Sequence, residues 1–157
     1  MRVSRNRLIK ASLADVWRAA SALEDLPKWL SGIEGVQHTD GPAEGIGRKQ
    51  LVSRELYGRE SRLTQEVIAW EPERRISLKH LEETVDGAKA GGVRNFHTVI
   101  TMRPIAERTE VELAYKWDSP MGLSWLLSLF LGGRVMGKEQ NASLKLLEKL
   151  VTEEKRA

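Results

Sequence analysis

The chain contains no cysteine, and this absence excludes a disulfide framework, a thiol nucleophile and a cysteine-based zinc site. Histidine is scarce as well. The three histidines are scattered, with no paired carboxylates at ligand spacing, so they do not predict a metal site. Gly45 and Gly47 lack the rest of a phosphate-binding motif and do not stand between a strand and a helix. We therefore expect no metal, nucleotide or redox cofactor.

Neither charge sign is in clear excess, because 25 Lys and Arg stand against 22 Asp and Glu, a net charge of +3. This balance gives no polybasic arm, so we expect no nucleic-acid partner. The long apolar run, residues 121–131, holds 11 residues, whereas a membrane-spanning helix needs about 20. The first ten residues show no apolar segment of the kind found in signal peptides. A soluble, cytoplasmic protein is the resulting expectation.

The length of 157 residues and the hydrophobic fraction of 41% suit one domain with a real core. We find no repeat or linker and predict a single domain over residues 1–157. A first strand is predicted at 3–10, followed by a helix at 13–20 that Ser12 caps. A second short helix at 23–29, disturbed by Pro27, and a brief strand at 33–39 come next.

The middle of the chain has the pattern of a meander. Five further strands are predicted at 48–57, 59–70, 74–83, 93–103 and 109–117, joined by short turns, which favours one antiparallel sheet. After Pro120 the pattern becomes helical, with Gly132 and Gly133 dividing it. One helical face is apolar: Val135, Met136, Leu144, Leu147, Leu150 and Val151. The opposite face is charged: Lys138, Glu139, Lys145, Glu148 and Lys149. This is an α+β fold, an antiparallel sheet with one long C-terminal helix and two short helices after the first strand.

Alternation along the strands assigns side chains to the face that meets the helix. On the last strand this set is Val111, Leu113, Tyr115 and Trp117. On the strand before it, the favoured set is Phe96, Thr98, Ile100 and Met102. On the predicted strand at 74–83, the matching set is Ile76, Leu78 and His80. Glu60, Glu66, Glu82 and Glu83 stand among arginines, a pattern typical of a solvated outer face.

Several short motifs occur in an order that indicates a known family. They are the segment 9–17, Asp25 with Trp29, and the segments 45–47, 71–75, 102–104 and 109–111. With them, the sequence resembles the polyketide cyclase/dehydratase and lipid-transport family, part of the START-like superfamily that includes the birch-pollen allergens. The resemblance runs from about Ile9 to Val151. It implies a helix-grip fold, in which a curved sheet wraps around the C-terminal helix and leaves an apolar cavity between them.

We predict which residues line that cavity from the two inward-facing sets. The predicted lining consists of Leu78, His80, Phe96, Leu113, Tyr115, Trp117, Met136, Gln140 and Leu144. Gln140 lies on one ridge with Met136 and Leu144, four residues from each. A dry core would favour an apolar residue there, because a buried amide needs hydrogen-bond partners. Gln140 is therefore the best sequence indication of a cavity; the alternative is a helix register that turns its side chain to solvent.

Three functions remain open at this level. The leading one is binding of a small hydrophobic or amphipathic ligand, such as a lipid, a polyketide-like aromatic or an isoprenoid. The second is a cyclase or dehydratase, which the resemblance implies and which would need His80 and Tyr115 as acid and base. Both residues have an equally ordinary interpretation as buried structural groups. The third is a protein-interaction module that uses residues 121–131.

The segment 121–131 is apolar on nearly every helical face, so part of it must be covered. It could be a lid at the cavity portal, with Trp125, Leu126 and Phe130 contacting the ligand or a membrane surface. It could equally form a homodimer interface, or be buried under neighbouring loops. The sequence leaves these alternatives open.

Overall fold

The computed structural model describes residues 1–56, 58–90, 94–118 and 133–156. Within them, eight strands form one antiparallel sheet. The strands are β1 (Arg2–Ile9), β2 (Ile33–Asp40), β3 (Lys49–Leu56), β4 (Arg59–Glu71), β5 (Arg75–Val85), β6 (Ala88–Lys89), β7 (His97–Ile105) and β8 (Arg108–Lys116). Their order across the curved sheet is β1-β8-β7-β5-β4-β3-β2, with the short β6 paired to β5. The α+β, helix-grip prediction is confirmed.

Two short helices connect β1 to β2, as the sequence predicts. Helix α1 (Leu13–Ser21) begins after Ser12, whose side-chain oxygen accepts a hydrogen bond from the Asp15 backbone N–H at 3.2 Å. Such a cap satisfies one of the free N–H groups of the first turn. The second is a 3-10 helix (Leu23–Lys28) that contains Pro27. Its exit leads the chain through Leu30 to β2 and forms one rim of the functional site described below.

The long C-terminal helix α2 (Gly133–Arg156) packs mainly against β1. Its buried face consists of Gly137, Gln140, Ser143, Leu144, Leu147 and Val151. Gln140 donates a hydrogen bond to the Val3 carbonyl at 2.9 Å, and Glu148 pairs with Arg7 on the same strand. Val135, predicted on the apolar stripe, is instead exposed. Gly137, two residues later, is buried close to the Arg5 side chain of β1, so this end of α2 also contacts the sheet.

The turn after β5 departs from the sequence expectation. The prediction places a loop at 86–92 and a strand from 93, but a tight turn at Asp86 and Gly87 leads directly into β6, and β7 begins only at His97. Asp86 and Gly87 both have positive φ angles, 51° and 80°. An Asp-Gly pair adopts this conformation readily and closes a two-residue hairpin. The sheet therefore has one strand more than the seven predicted.

No helix in the described ranges is long and apolar enough to cross a bilayer.

Candidate functional site

A cleft of about 1270 Å³ lies between the sheet and the start of α2. Its floor is the inner face of β3, β4, β5 and β7, and its rims are the exit of the 3-10 helix and the first turns of α2. The apolar part of its surface includes Leu30, Ile33, Val52, Leu63, Phe96 and Met136. Polar and charged side chains face the same space, among them Arg54, Gln65, Lys79, His80, Glu83, Lys89, Arg94, Thr98, Tyr115 and Glu139. The cleft is therefore amphipathic.

Of the nine residues that the sequence predicts to line a cavity, some line the cleft and others do not. His80, Phe96, Tyr115 and Met136 line the cleft. The other five, Leu78, Leu113, Trp117, Gln140 and Leu144, are buried and do not contribute to the described lining. A role of any of these nine in ligand binding stays a prediction. Trp125, Leu126 and Phe130 lie outside the described residues, as does the whole segment 121–131 with its three alternatives.

An aromatic cluster lies near β7 and β8, and three of its members, His80, Phe96 and Tyr115, line the cleft. The ring centroid of Phe96 lies 4.5 Å from that of His80, 5.6 Å from Tyr115 and 6.0 Å from Trp117. Phe96 and Trp117 are stacked, with 14° between their planes. Flat apolar faces at these separations pack well with one another. No hydrogen bond joins His80 to Tyr115, two residues that both lie in the described ranges.

The protonation states of the two predicted acid–base groups are both shifted. Burial, reinforced by the positive charge of Arg54, lowers the pKa of His80 to about 3. Burial and the negative charge of Glu139 raise the pKa of Tyr115. Both side chains are consequently neutral near pH 7. A general base needs a pKa near the working pH, so this environment suits hydrogen bonding better than proton transfer.

An ion pair that the sequence did not indicate lies in the cleft lining, near His80. Arg54 donates to Glu83 at 2.6 Å and to the Ser61 hydroxyl at 3.3 Å, while Ser61 donates to Glu83. Burial alone would raise the pKa of Glu83, but the hydrogen bonds from Ser61 and Arg54 and the charge of Arg54 lower it overall. Arg54 is thus already neutralised by a carboxylate of the protein.

The prediction that Glu83 lies on a solvated outer face of the sheet is wrong. The pairing of β4 with β5 shifts register between Thr64 and Gln65, where Gln65 faces His80 and Thr64 faces Glu82. Leu81 is the extra residue, and it is exposed. A bulge of this kind resets the alternation of side chains. Glu83, an odd number of residues from His80, therefore lies on the same face as His80.

Glu139 also differs from its predicted place on the charged face of the helix. It is half-buried, lines the cleft with Met136 one turn earlier, and its carboxylate lies near Gly32. Burial raises the pKa of Glu139, and the charge of Arg54 offsets this only in part. Helical spacing could have indicated this position, since residue 139 lies three residues after Met136, on the same side of the helix, and next to Gln140.

Glu139→Gln is expected to stabilise the protein at pH 7 by up to about 1 kcal/mol. A carboxyl group with a raised pKa in the folded state penalises folding when it is charged, and this penalty vanishes below its ordinary pKa of 4.5. Urea unfolding of both proteins at pH 7 and pH 4 measures the effect. A gain that is equal at both pH values would contradict the explanation.

Among the described residues, no three His, Asp or Glu side chains converge as metal ligands. His38 is exposed on β2, where its Nε2 lies near the Asp40 and Gly41 carbonyl oxygens, and His97 is half-buried on β7.

The fold of the chain has clear relatives among solved structures. An aromatase/cyclase from Streptomyces sp. R1128 superposes with a TM-score of 0.75 at 15% identity, over 100% of this chain and 96% of that one. A protein from Thermus thermophilus gives 0.73 at 22% identity over 97% of each chain. A START superfamily protein from Mycobacterium smegmatis gives 0.72 at 14% identity, also over 97% of each. At these identities the likeness concerns the fold alone.

No functionally curated protein sequence matches the chain. The family profile described as polyketide cyclase / dehydrase and lipid transport, however, matches residues 1–152. The match covers β1 to the last turns of α2, and therefore every element that forms the cleft. The resemblance that the sequence motifs indicate is confirmed: the chain belongs to the polyketide cyclase / dehydrase and lipid transport family.

Proposed function

We propose that the cleft binds a small hydrophobic or amphipathic molecule, in the class of lipids, polyketide-like aromatics and isoprenoids. The observation that carries this proposal is the combination of size and lining. A space of about 1270 Å³ exceeds the roughly 300–1,000 Å³ of most pockets that hold small molecules, and such pockets combine apolar walls with a few polar groups. Membership of a family described by lipid transport and polyketide chemistry supports the same class of ligand.

Binding is favoured over the alternative of cyclase or dehydratase chemistry. His80, with its pKa near 3, is a weak base at neutral pH, and Tyr115, with a raised pKa, is a weak acid. Neither residue hydrogen-bonds the other, although both lie in the part of the chain that the structure describes. The affinity would come from apolar burial at about 25 cal/mol per Å², and the polar groups would orient the ligand.

Met136→Trp tests this proposal by filling the cleft from its helical rim. We expect the variant to weaken binding of a fluorescent fatty acid, cis-parinaric acid, by about tenfold or more, because the indole occupies space that the ligand needs. Leu146→Trp is the matched control, since Leu146 is exposed on the same helix and does not line the cleft. Fluorescence titration gives both affinities, and thermal unfolding verifies that both variants fold.

Equal affinity of the two variants would contradict the proposed site. Absence of any probe binding to the wild-type protein, together with no lipid retained in native mass spectrometry, would contradict the proposed function.

A further inference from the structure

A chain of hydrogen bonds between mostly buried side chains runs from Arg48 to His80 along the inner face of the sheet. The Arg48 Nε atom donates to Gln50 Oε1 at 3.0 Å, and Gln50 Nε2 donates to Gln65 Oε1 at 3.0 Å. Gln65 Nε2 then lies 3.2 Å from His80 Nε2. Arg48, Gln50 and Gln65 are 1%, 0% and 3% exposed. Because buried polar groups must find partners inside the protein, this relay constrains each of its members.

The direction of every bond in the relay follows from its first member. A guanidinium group carries only donors, so Gln50 must turn its oxygen to Arg48 and its NH₂ group to Gln65. Gln65 must then accept with its oxygen and present its own NH₂ group to His80. A histidine nitrogen that faces an N–H donor has to be the unprotonated one. The relay therefore requires that Nε2 of His80 accepts and that the ring proton is on Nδ1.

Thr98 does not decide this question. Its hydroxyl oxygen lies 3.3 Å from His80 Nε2, but a hydroxyl group both donates and accepts and so tolerates either tautomer. Gln65 is the partner that discriminates. Its orientation is fixed from Arg48, which Glu24 and the Ala43 carbonyl hold in place.

We propose that the relay from Arg48 through Gln50 and Gln65 fixes His80 in the Nδ1–H tautomer, so that the cleft selects apolar ligands with a neutral hydrogen-bond acceptor. The ligand part of this inference rests on the proposed function. His80 lines the cleft, and in this tautomer Nδ1–H is the one polar hydrogen of its ring. A ketone or ester carbonyl is the matching group. In the opposite tautomer, His80 would offer an acceptor at Nδ1 and would favour alcohols instead.

The carboxyl group beside His80 disfavours a carboxylate ligand at this position. The lining carries both charge signs, with Arg54, Lys79, Lys89 and Arg94 against Glu55, Glu82, Glu83 and Glu139, so it has no excess of positive charge. Arg54, whose charge acts on His80, is already paired with Glu83 at 2.6 Å. An anionic ligand that contacts His80 would therefore lie near the Glu83 carboxylate in a partly desolvated space, where like charges repel.

The tautomer can be read directly in the ligand-free protein. In ¹⁵N-labelled protein, long-range correlations from the ring carbon-bound protons distinguish the protonated from the unprotonated nitrogen. With three histidines in the chain, the His80→Gln spectrum assigns the relevant ring. We expect protonated Nδ1 and unprotonated Nε2, and the reverse pattern would overturn the inference.

Gln65→Glu tests the cause of the tautomer. A carboxylate accepts and cannot donate, so we expect His80 to move its proton to Nε2, measured at a pH where the ¹⁵N shifts show a neutral ring. Thr98→Val is the matched control and should keep Nδ1–H. A second variant, Gln50→Leu, breaks the relay without adding charge and should give a mixture of tautomers. Retention of pure Nδ1–H in either relay variant would overturn the proposed cause.

Fluorenone and fluorene test the ligand part, because the two differ by one carbonyl group on the same flat frame. By equilibrium dialysis we expect fluorenone to bind the wild-type protein about five- to tenfold more tightly, as one neutral hydrogen bond provides. Gln65→Glu should abolish this preference. Equal binding to the wild type would overturn the ligand part. If neither compound binds although cis-parinaric acid does, the ligand part fails and the proposed function stands. If cis-parinaric acid does not bind either, both fail, and the tautomer spectra alone decide whether the relay stands.

Discussion

Leu113→Ala is expected to lower the free energy of unfolding by about 2–5 kcal/mol, the range for deleting a fully buried leucine side chain. Leu113 is 0% exposed in the centre of β8, between Ile100 of β7 and Arg5 of β1. The surrounding strands are hydrogen-bonded on both sides and cannot collapse into the space. Urea unfolding monitored by tryptophan fluorescence measures the change.

Phe96→Ala is the matched comparison, because Phe96 is half-buried and borders the cleft. Its loss of stability should be smaller than that of Leu113→Ala, since part of the ring faces open space, while binding of cis-parinaric acid should change more. The pair of variants thereby tests the predicted site set. If Leu113→Ala cost less than about 1 kcal/mol and weakened probe binding, Leu113 would belong to a ligand site after all.

The sheet and its two faces were predictable because apolar residues at buried positions alternate with polar residues at exposed positions along a strand. On β8 the predicted inward residues Val111, Leu113 and Tyr115 are buried, as is Trp117 directly after the strand, and the charged residues between them are more exposed. The same reasoning succeeded on β7 for Ile100 and Met102. One apolar face and one polar face are enough to fix the orientation of a strand.

The cleft was harder to predict because polar residues on its inner face depart from this alternation. The bulge at Leu81 shifts the alternation on β5, and a sequence offers no marker for an extra residue in a ladder. Gln50 and Gln65 have no apolar character, so a pattern of hydrophobicity assigns them to solvent even though they are buried. Their burial depends on partners distant in sequence, which hydrophobic periodicity alone cannot supply.

Gln140 illustrates how a correct physical expectation can have an unexpected structural answer. Its buried amide finds a partner in the Val3 carbonyl of β1, while Oε1 has none among the described residues. Its position on the ridge with Leu144 is as the spacing predicts, but β1 packs against this part of α2, and the cleft begins one turn earlier at Met136. Helical spacing predicts which face of α2 a residue occupies, but the position of α2 on the sheet determines whether that face contacts a strand or the cleft.

Acidification is expected to weaken the wild-type protein by about 3 kcal/mol between pH 7 and pH 4 through His80 alone. The pKa of this residue is about 3 in the folded state against 6.5 for a free histidine. The unfolded chain therefore binds a proton in this window that the folded protein does not. The stability contributed by neutral His80 is fully present above about pH 6.5 and is lost as the pH falls towards 3.

His80→Gln isolates this contribution, because glutamine stays neutral and can still hydrogen-bond Gln65 and Thr98. Other groups also titrate in the window: Glu83, with its lowered pKa, adds to the acid sensitivity, and Glu139, with its raised pKa, opposes it. Both are present in wild type and variant, so the difference between the two stability curves reports on His80. Urea unfolding at pH 7, 6, 5 and 4 should show the difference between the curves changing by up to about 1.4 kcal/mol per pH unit. Parallel curves would show that His80 is solvated and titrates normally, and would remove the basis for a neutral histidine in the cleft.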